Sequence, residues 1–133
     1  MKTEVLIIGG GVAGLALGCF LGSAGLNVAL VEPRNLPLEE KTEHYGRTAA
    51  LMGASVNILK SLGLWDDLER RTAPLETMRI IDDSNPTIEP LEIDFPASEI
   101  ERENFGHNIP NFMLHVSLAR KISAMKNVTL HIP

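Results

Sequence analysis

The stretch from Val5 to Glu32, VLIIGGGVAGLALGCFLGSAGLNVALVE, constrains this chain more than any other. A continuous apolar run over Val5–Ile8 passes at once into Gly9-Gly10-Gly11-Val12-Ala13-Gly14, and an apolar helical stretch containing Gly18 follows. A second apolar run, Val28–Val31, ends on Glu32. Strand, glycine turn, helix, strand and terminal acid in that order predict a βαβ unit that holds a dinucleotide. A lone GxGxxG marks many ordinary turns. A plain glycine-rich crossover does not require these three glycines together with the acid.

Each part has a physical task. Gly9 lets the chain leave the first strand in a turn that a side chain would block. Gly11 has no Cβ, so the backbone can approach a pyrophosphate. Gly14 allows the helix to pack closely on the strand. The N–H groups of Val12 and Ala13 open the helix unpaired, where the helix dipole favours an anion. Glu32, at the carboxyl end of the second strand, can accept hydrogen bonds from ribose hydroxyls and would repel a 2′-phosphate, which disfavours NADP as the ligand. Arg34, two residues on, could lie along an adenosine or face solvent.

The 133 residues are enough for one domain, and a hydrophobic fraction of 44% predicts a sizeable core. A net charge of -5 argues against a nucleic-acid surface. The single cysteine, Cys19, cannot form an internal disulfide and reads as a small core residue. No targeting segment and no uninterrupted apolar span of membrane length is evident, so a reducing cytoplasm is the expected setting. Peripheral membrane association is left open.

Residues 33–46 read as a polar surface loop. Helical spacing is expected from Arg47 to Leu62, stopped by Gly63, with a short helix over Trp65–Arg71. Thr77–Ile81 and Ile88–Phe95 read as strands about a turn at Asp82–Pro86, with Pro90 restricting the second to a sheet edge. Residues 96–110 read as irregular, Asn111–Met125 as a helix and Val128–Ile132 as a further strand. His44, His115 and His131 lack metal-site spacing and read as surface or structural, so no metal site is expected.

Three stretches resemble the N-terminal part of the FAD-dependent aromatic hydroxylases, within them the ubiquinone-biosynthesis branch. They are the glycine motif with Glu32; Gly46-Arg47-Thr48-Ala49-Ala50-Leu51 with Ser55 and Ile58-Leu59-x-x-Leu62-Gly63-Leu64-Trp65-Asp66; and Phe105-Gly106-His107-Asn108-Ile109-Pro110-Asn111 with Leu114 and Leu118. The resemblance implies that Arg47, at the head of the second helix, points toward FAD. It places Asn111 near the cofactor at the head of the later helix, where an N-cap role is an equal reading. His107 stands where many relatives carry an aromatic residue, which bears on substrate choice. Family members are much longer and carry a later Gly-Asp segment for the flavin side, so the chain reads as a fragment or a truncated product.

The resulting expectation is an α/β fold: an incomplete Rossmann-like FAD-binding βαβ domain with a short β excursion belonging to a substrate domain. Residues 1–75 form the dinucleotide-binding part, 76–105 the excursion and 106–133 the return. By resemblance the complete enzyme uses FAD, with NAD(P)H as co-substrate, to place one oxygen atom of O2 on a phenolic ring. No residue here reads as a general base or nucleophile, so no catalytic residue is assigned and the chain alone is expected to be inactive. Exposed apolar surface and an open sheet edge near Val128–Ile132 predict self-association. The rivals are an NAD-dependent dehydrogenase and a non-catalytic nucleotide-binding remnant.

Overall fold

In the computed structural model, residues 2–39, 46–84 and 90–133 are described. The strand β1 (Val5–Ile8) leads through the glycine turn into the helix α1 (Val12–Ser23), and β2 (Val28–Val31) returns parallel to β1. Leu15, Gly18, Cys19 and Gly22 form the buried stripe of α1, at the three- and four-residue spacing of one helix face. Next come β3 (Thr48–Met52), α2 (Gly53–Ser61), α3 (Trp65–Glu69), β4 (Ala73–Pro74), β5 (Thr77–Asp82) and β6 (Leu91–Pro96). A 3-10 turn over Ala97–Ile100, β7 (Gly106–Pro110), α4 (Asn111–Ser123) and β8 (Val128–His131) complete the order.

Among the described residues the strands make three sheets: a parallel one in the order β1-β2-β8, an antiparallel one in the order β3-β7-β4, and the β5-β6 hairpin. The parallel sheet agrees with the α/β class expected above, and the separate hairpin with the two strands expected in that region. α1 and α4 pack against each other and against one face of the parallel sheet. Leu15, Leu30, Leu118 and Ile122 are fully buried in that layer. On the other face Leu6 and Ile8 are 60% and 82% exposed. Parallel sheets ordinarily have both faces covered.

Three local expectations need correction. Arg47–Leu62 is not one helix: Thr48–Met52 is a strand, paired with β7 from Thr48 opposite Pro110 to Met52 opposite Gly106. Ala49 and Leu51 alternate inward along it, a period of two that the apolar spacing of the following helix masks. Residues 96–110 are not irregular, because Gly106–Pro110 is the middle strand of that sheet, with Ile109 fully buried. The loop after Glu32 is not wholly a surface feature, since Leu36 joins the core.

Other expectations hold. Gly63 takes φ +67°, the Leu64 N–H bonds the Leu59 carbonyl, and the Gly63 N–H bonds that of Lys60, a Schellman ending for α2. β6 begins just after Pro90. Residues 40–45 of the expected loop, His44 among them, the Asn85–Pro86 end of the expected turn and the Ile88 start of the expected second strand lie outside the described residues. Cys19 is fully buried with Sγ 3.5 Å from the Leu118 carbonyl oxygen, and burial pushes its thiol pKa up to about 11.

Candidate functional site

The turn between β1 and α1 is built by close approach. Gly9 takes φ +108°, and its N–H donates to the Val31 carbonyl at 2.8 Å, which ties the turn to the end of β2. A Cβ on Gly14 would sit on the Gly9 carbonyl oxygen, so α1 can start this close to the strand only with glycine there. A Cβ on Gly11 would meet nothing within 4 Å. Its side of the turn is open, and Gly11 and Ala13 are exposed while Val12 is half-buried. α1 carries no side-chain cap and no acid in its first turn, which leaves its leading N–H groups available to an anion.

Glu32 is buried, 7% exposed, and faces this turn. Its Oε2 accepts the Gly10 N–H at 2.7 Å. Its Oε1 accepts the Arg34 N–H at 3.2 Å and Arg34 Nε–H at 3.1 Å. These bonds, the Gly10 one foremost and Arg34 next, hold the carboxyl below its usual pKa against the opposing effect of desolvation. A carboxylate has about four lone-pair sites, so room remains for a ribose hydroxyl. The Arg34 side chain, 85% exposed, is ion-paired to Glu32 and otherwise faces solvent.

On the far side of the turn, His115 Nε2 lies 2.8 Å from the Gly10 carbonyl oxygen. Asn111 is one turn earlier on the same face of α4, about 6 Å along the axis. Its N–H donates to the Arg47 carbonyl at 2.9 Å. Hydrogen bonds thus link Glu32, Gly10 and His115, and Asn111 to Arg47, with His115 and Asn111 both on α4. Two details differ from expectation. Arg47 precedes a strand rather than heading a helix, and it is exposed. The N-cap of α4 is Pro110, with Asn111 the first helical residue and no side-chain cap, so the capping role does not apply. Between α4 and the segment 34–39 lies a cleft of about 650 Å³, with Gly10, Glu32, Phe112 and His115 on its walls. Small-molecule clefts run from about 300 to 1,000 Å³.

His107 packs elsewhere. Its ring meets Trp65 edge-on at 4.9 Å, and its Nδ1 is 2.9 Å from Thr72 Oγ1. The Thr72 hydroxyl donates to the Glu69 carbonyl, so His107 Nδ1 is the donor to Thr72. Sequence reasoning placed His115 only as surface or structural. The available signal was its spacing of four from Asn111, which puts both on one helix face. No group of three or more potential metal ligands occurs among the described residues.

Comparison with known proteins adds the following. Residues 2–125 match the FAD binding domain family. The chain is 30% identical over 133 residues to the 3-demethoxyubiquinol 3-hydroxylase of Escherichia coli, covering 98% of this chain and 33% of that protein. It is 26% identical over 130 residues to the ubiquinone hydroxylase UbiL of Rhodospirillum rubrum, covering 98% of this chain and 29% of the relative. PqsL of Pseudomonas aeruginosa, a probable FAD-dependent monooxygenase, superposes with a TM-score of 0.70 at 24% identity, over 98% of this chain and 32% of PqsL; that likeness speaks for the fold. The chain spans about a third of the length of these relatives.

Proposed function

The chain belongs to the FAD binding domain family, and from that premise we propose that it is the N-terminal FAD-binding part of a flavoprotein monooxygenase. The complete enzyme uses NAD(P)H as co-substrate and hydroxylates an aromatic ring, a phenolic and prenylated ubiquinone precursor being the substrate class. The names carried by the curated relatives support that class.

One observation carries the reading: an uncapped helix N-terminus at an open glycine turn, beside a buried carboxylate held ionised. In this assignment Gly9, Gly11 and Gly14 shape the turn, and the N–H groups of Val12 and Ala13 hold the pyrophosphate. Glu32 accepts from the adenosine ribose, and Arg34 lies along the adenosine. Arg47 and Asn111, joined through the backbone, face the part of the cofactor beyond the pyrophosphate. Bound FAD would supply the redox and oxygen chemistry, and the residues of this chain bind and orient it. We assign residues 1–75 and 106–133 to the FAD-binding domain and 76–105 to an excursion toward the substrate domain. Among the described residues no helix is long and apolar enough to cross a membrane. The reading takes a cytoplasmic enzyme, with peripheral membrane contact and self-association of the chain as further parts of it.

The test is the visible spectrum of the purified chain titrated with FAD, alongside calorimetry with FAD, ADP and NAD. A bound-flavin spectrum with FAD held more tightly than NAD is the expected result. A colourless chain that binds NAD and ignores FAD would replace this reading with a dehydrogenase.

A further inference from the structure

His115 has no part in the assignment above, yet it makes the longest-range polar contact to the glycine turn. Its half-buried ring presents Nε2 at 2.8 Å to the Gly10 carbonyl oxygen, 105 positions away. A carbonyl oxygen only accepts, so Nε2 carries the proton and donates. The N–H of the same glycine donates to Glu32 Oε2 at 2.7 Å, and that of Gly9 donates to the Val31 carbonyl at 2.8 Å. Three consecutive peptide units are therefore held, each by a different element: Ile8–Gly9 by β2, Gly9–Gly10 by the acid after it, and Gly10–Gly11 by α4.

The third tie has a directional consequence. A trans peptide is planar, with its C=O and N–H pointing opposite ways. Drawing the Gly10 carbonyl toward α4 turns the Gly11 N–H away from α4. Without that tie, the glycines on both sides of the peptide leave it free to rotate among many orientations. A turn already held in one orientation binds its ligand without the entropy of ordering it.

We propose that His115 is a positioning residue of the dinucleotide site: through its Nε2–H bond to the Gly10 carbonyl it sets the orientation of the Gly10–Gly11 peptide, and so the direction of the Gly11 N–H, before a ligand arrives. The inference rests on the dinucleotide reading above and adds a residue to it.

The experiment compares the wild-type chain with His115→Ala and His115→Gln, since a glutamine amide can place a donor near the position of Nε2. Two quantities are read: amide hydrogen exchange at Gly10, whose N–H is bonded to Glu32, without ligand, and ADP affinity by calorimetry. In His115→Ala the Gly10 amide should exchange about tenfold faster, with the β2 amides unchanged, and ADP affinity should fall about tenfold, the scale of one lost hydrogen bond. His115→Gln should restore both. A residue that served packing alone would alter exchange along α4 and would not be rescued by glutamine. Wild-type exchange and affinity in His115→Ala, or failure of glutamine to restore them, overturns the proposal. If the alanine variant does not fold, the glutamine variant decides: turn exchange and affinity at wild-type levels support the tie, and their loss refutes it. A wild-type chain that takes no ADP overturns the dinucleotide reading and this inference together, whereas ADP binding equal in wild type and His115→Ala overturns this inference alone.

Discussion

The two glycines that flank the start of α1 do different work, and substitution separates them. Gly11 has φ −70° and ψ 176°, backbone that any residue adopts, and a Cβ there meets nothing within 4 Å. Gly11→Val should leave the melting temperature nearly unchanged while lowering ADP affinity at least about tenfold, because the new side chain occupies the open side of the turn. Gly14→Ala should do the reverse first: its Cβ lands on the Gly9 carbonyl oxygen, so stability falls by about 1–3 kcal/mol. Calorimetry and thermal melts on the pair check the division of roles, and unchanged ADP affinity in Gly11→Val would show the site is misassigned. Glu32 makes a pH prediction at the same scale. Its carboxyl sits below the ordinary glutamate value of 4.5, chiefly because the Gly10 N–H bonds the ionised form. A depressed pKa stabilises the fold above the unfolded-state value, and that contribution is lost as pH falls from there through the folded-state value. Wild type should therefore lose stability in that acid window more steeply than Glu32→Gln. Parallel acid limbs in the two melting profiles would refute the bond's role.

At the scale of elements, the contact between α1 and α4 carries the domain. Gly18 of α1 faces Ile122 of α4, with Ile7 and Leu30 of the sheet beneath. Ile122 is fully buried. Ile122→Ala should cost about 2–4 kcal/mol, the transfer of the lost carbons plus the cavity they leave. Denaturant titration reads this directly, and a loss under about 1 kcal/mol would mean that the two helices collapse around the gap. The same packing holds His115 against the turn, so a cavity here should also weaken ADP binding.

For the molecule as a whole, exposure is the governing fact. β1 and β8 are the outer strands of the parallel sheet, and the face opposite α1 and α4 exposes Leu6, Ile8 and Val31. The β5-β6 hairpin similarly exposes Met78, Ile80, Ile93 and Phe95, which its strand register puts on one face. Unpaired edges and apolar patches of this kind favour association with another chain. Sedimentation velocity over a concentration series should show self-association of the chain, reduced in Ile8→Lys. A monomer at every concentration would remove this expectation.

Much of this was legible in local pattern. The glycines and Glu32 gave the βαβ unit because the physical demands there are local: a positive φ at Gly9, a close approach at Gly14, an acid at a strand end. The stop at Gly63 was legible for the same reason. Failures came where partners are distant in sequence. Thr48–Met52 and Gly106–Pro110 are strands because they pair with each other, more than fifty residues apart, and neither segment carries an alternation long enough to announce it. The residues that complete the turn followed the same rule. Glu32 was found from its place after β2, but its bond to the Gly10 N–H exists only once β2 has paired with β1, and that of His115 to the Gly10 carbonyl only once α4 has packed on α1. The sequence by itself determined the class of fold and the identity of the turn; the tertiary structure decided which way the turn's peptides point, because that depends on donors and acceptors the chain brings together only on folding.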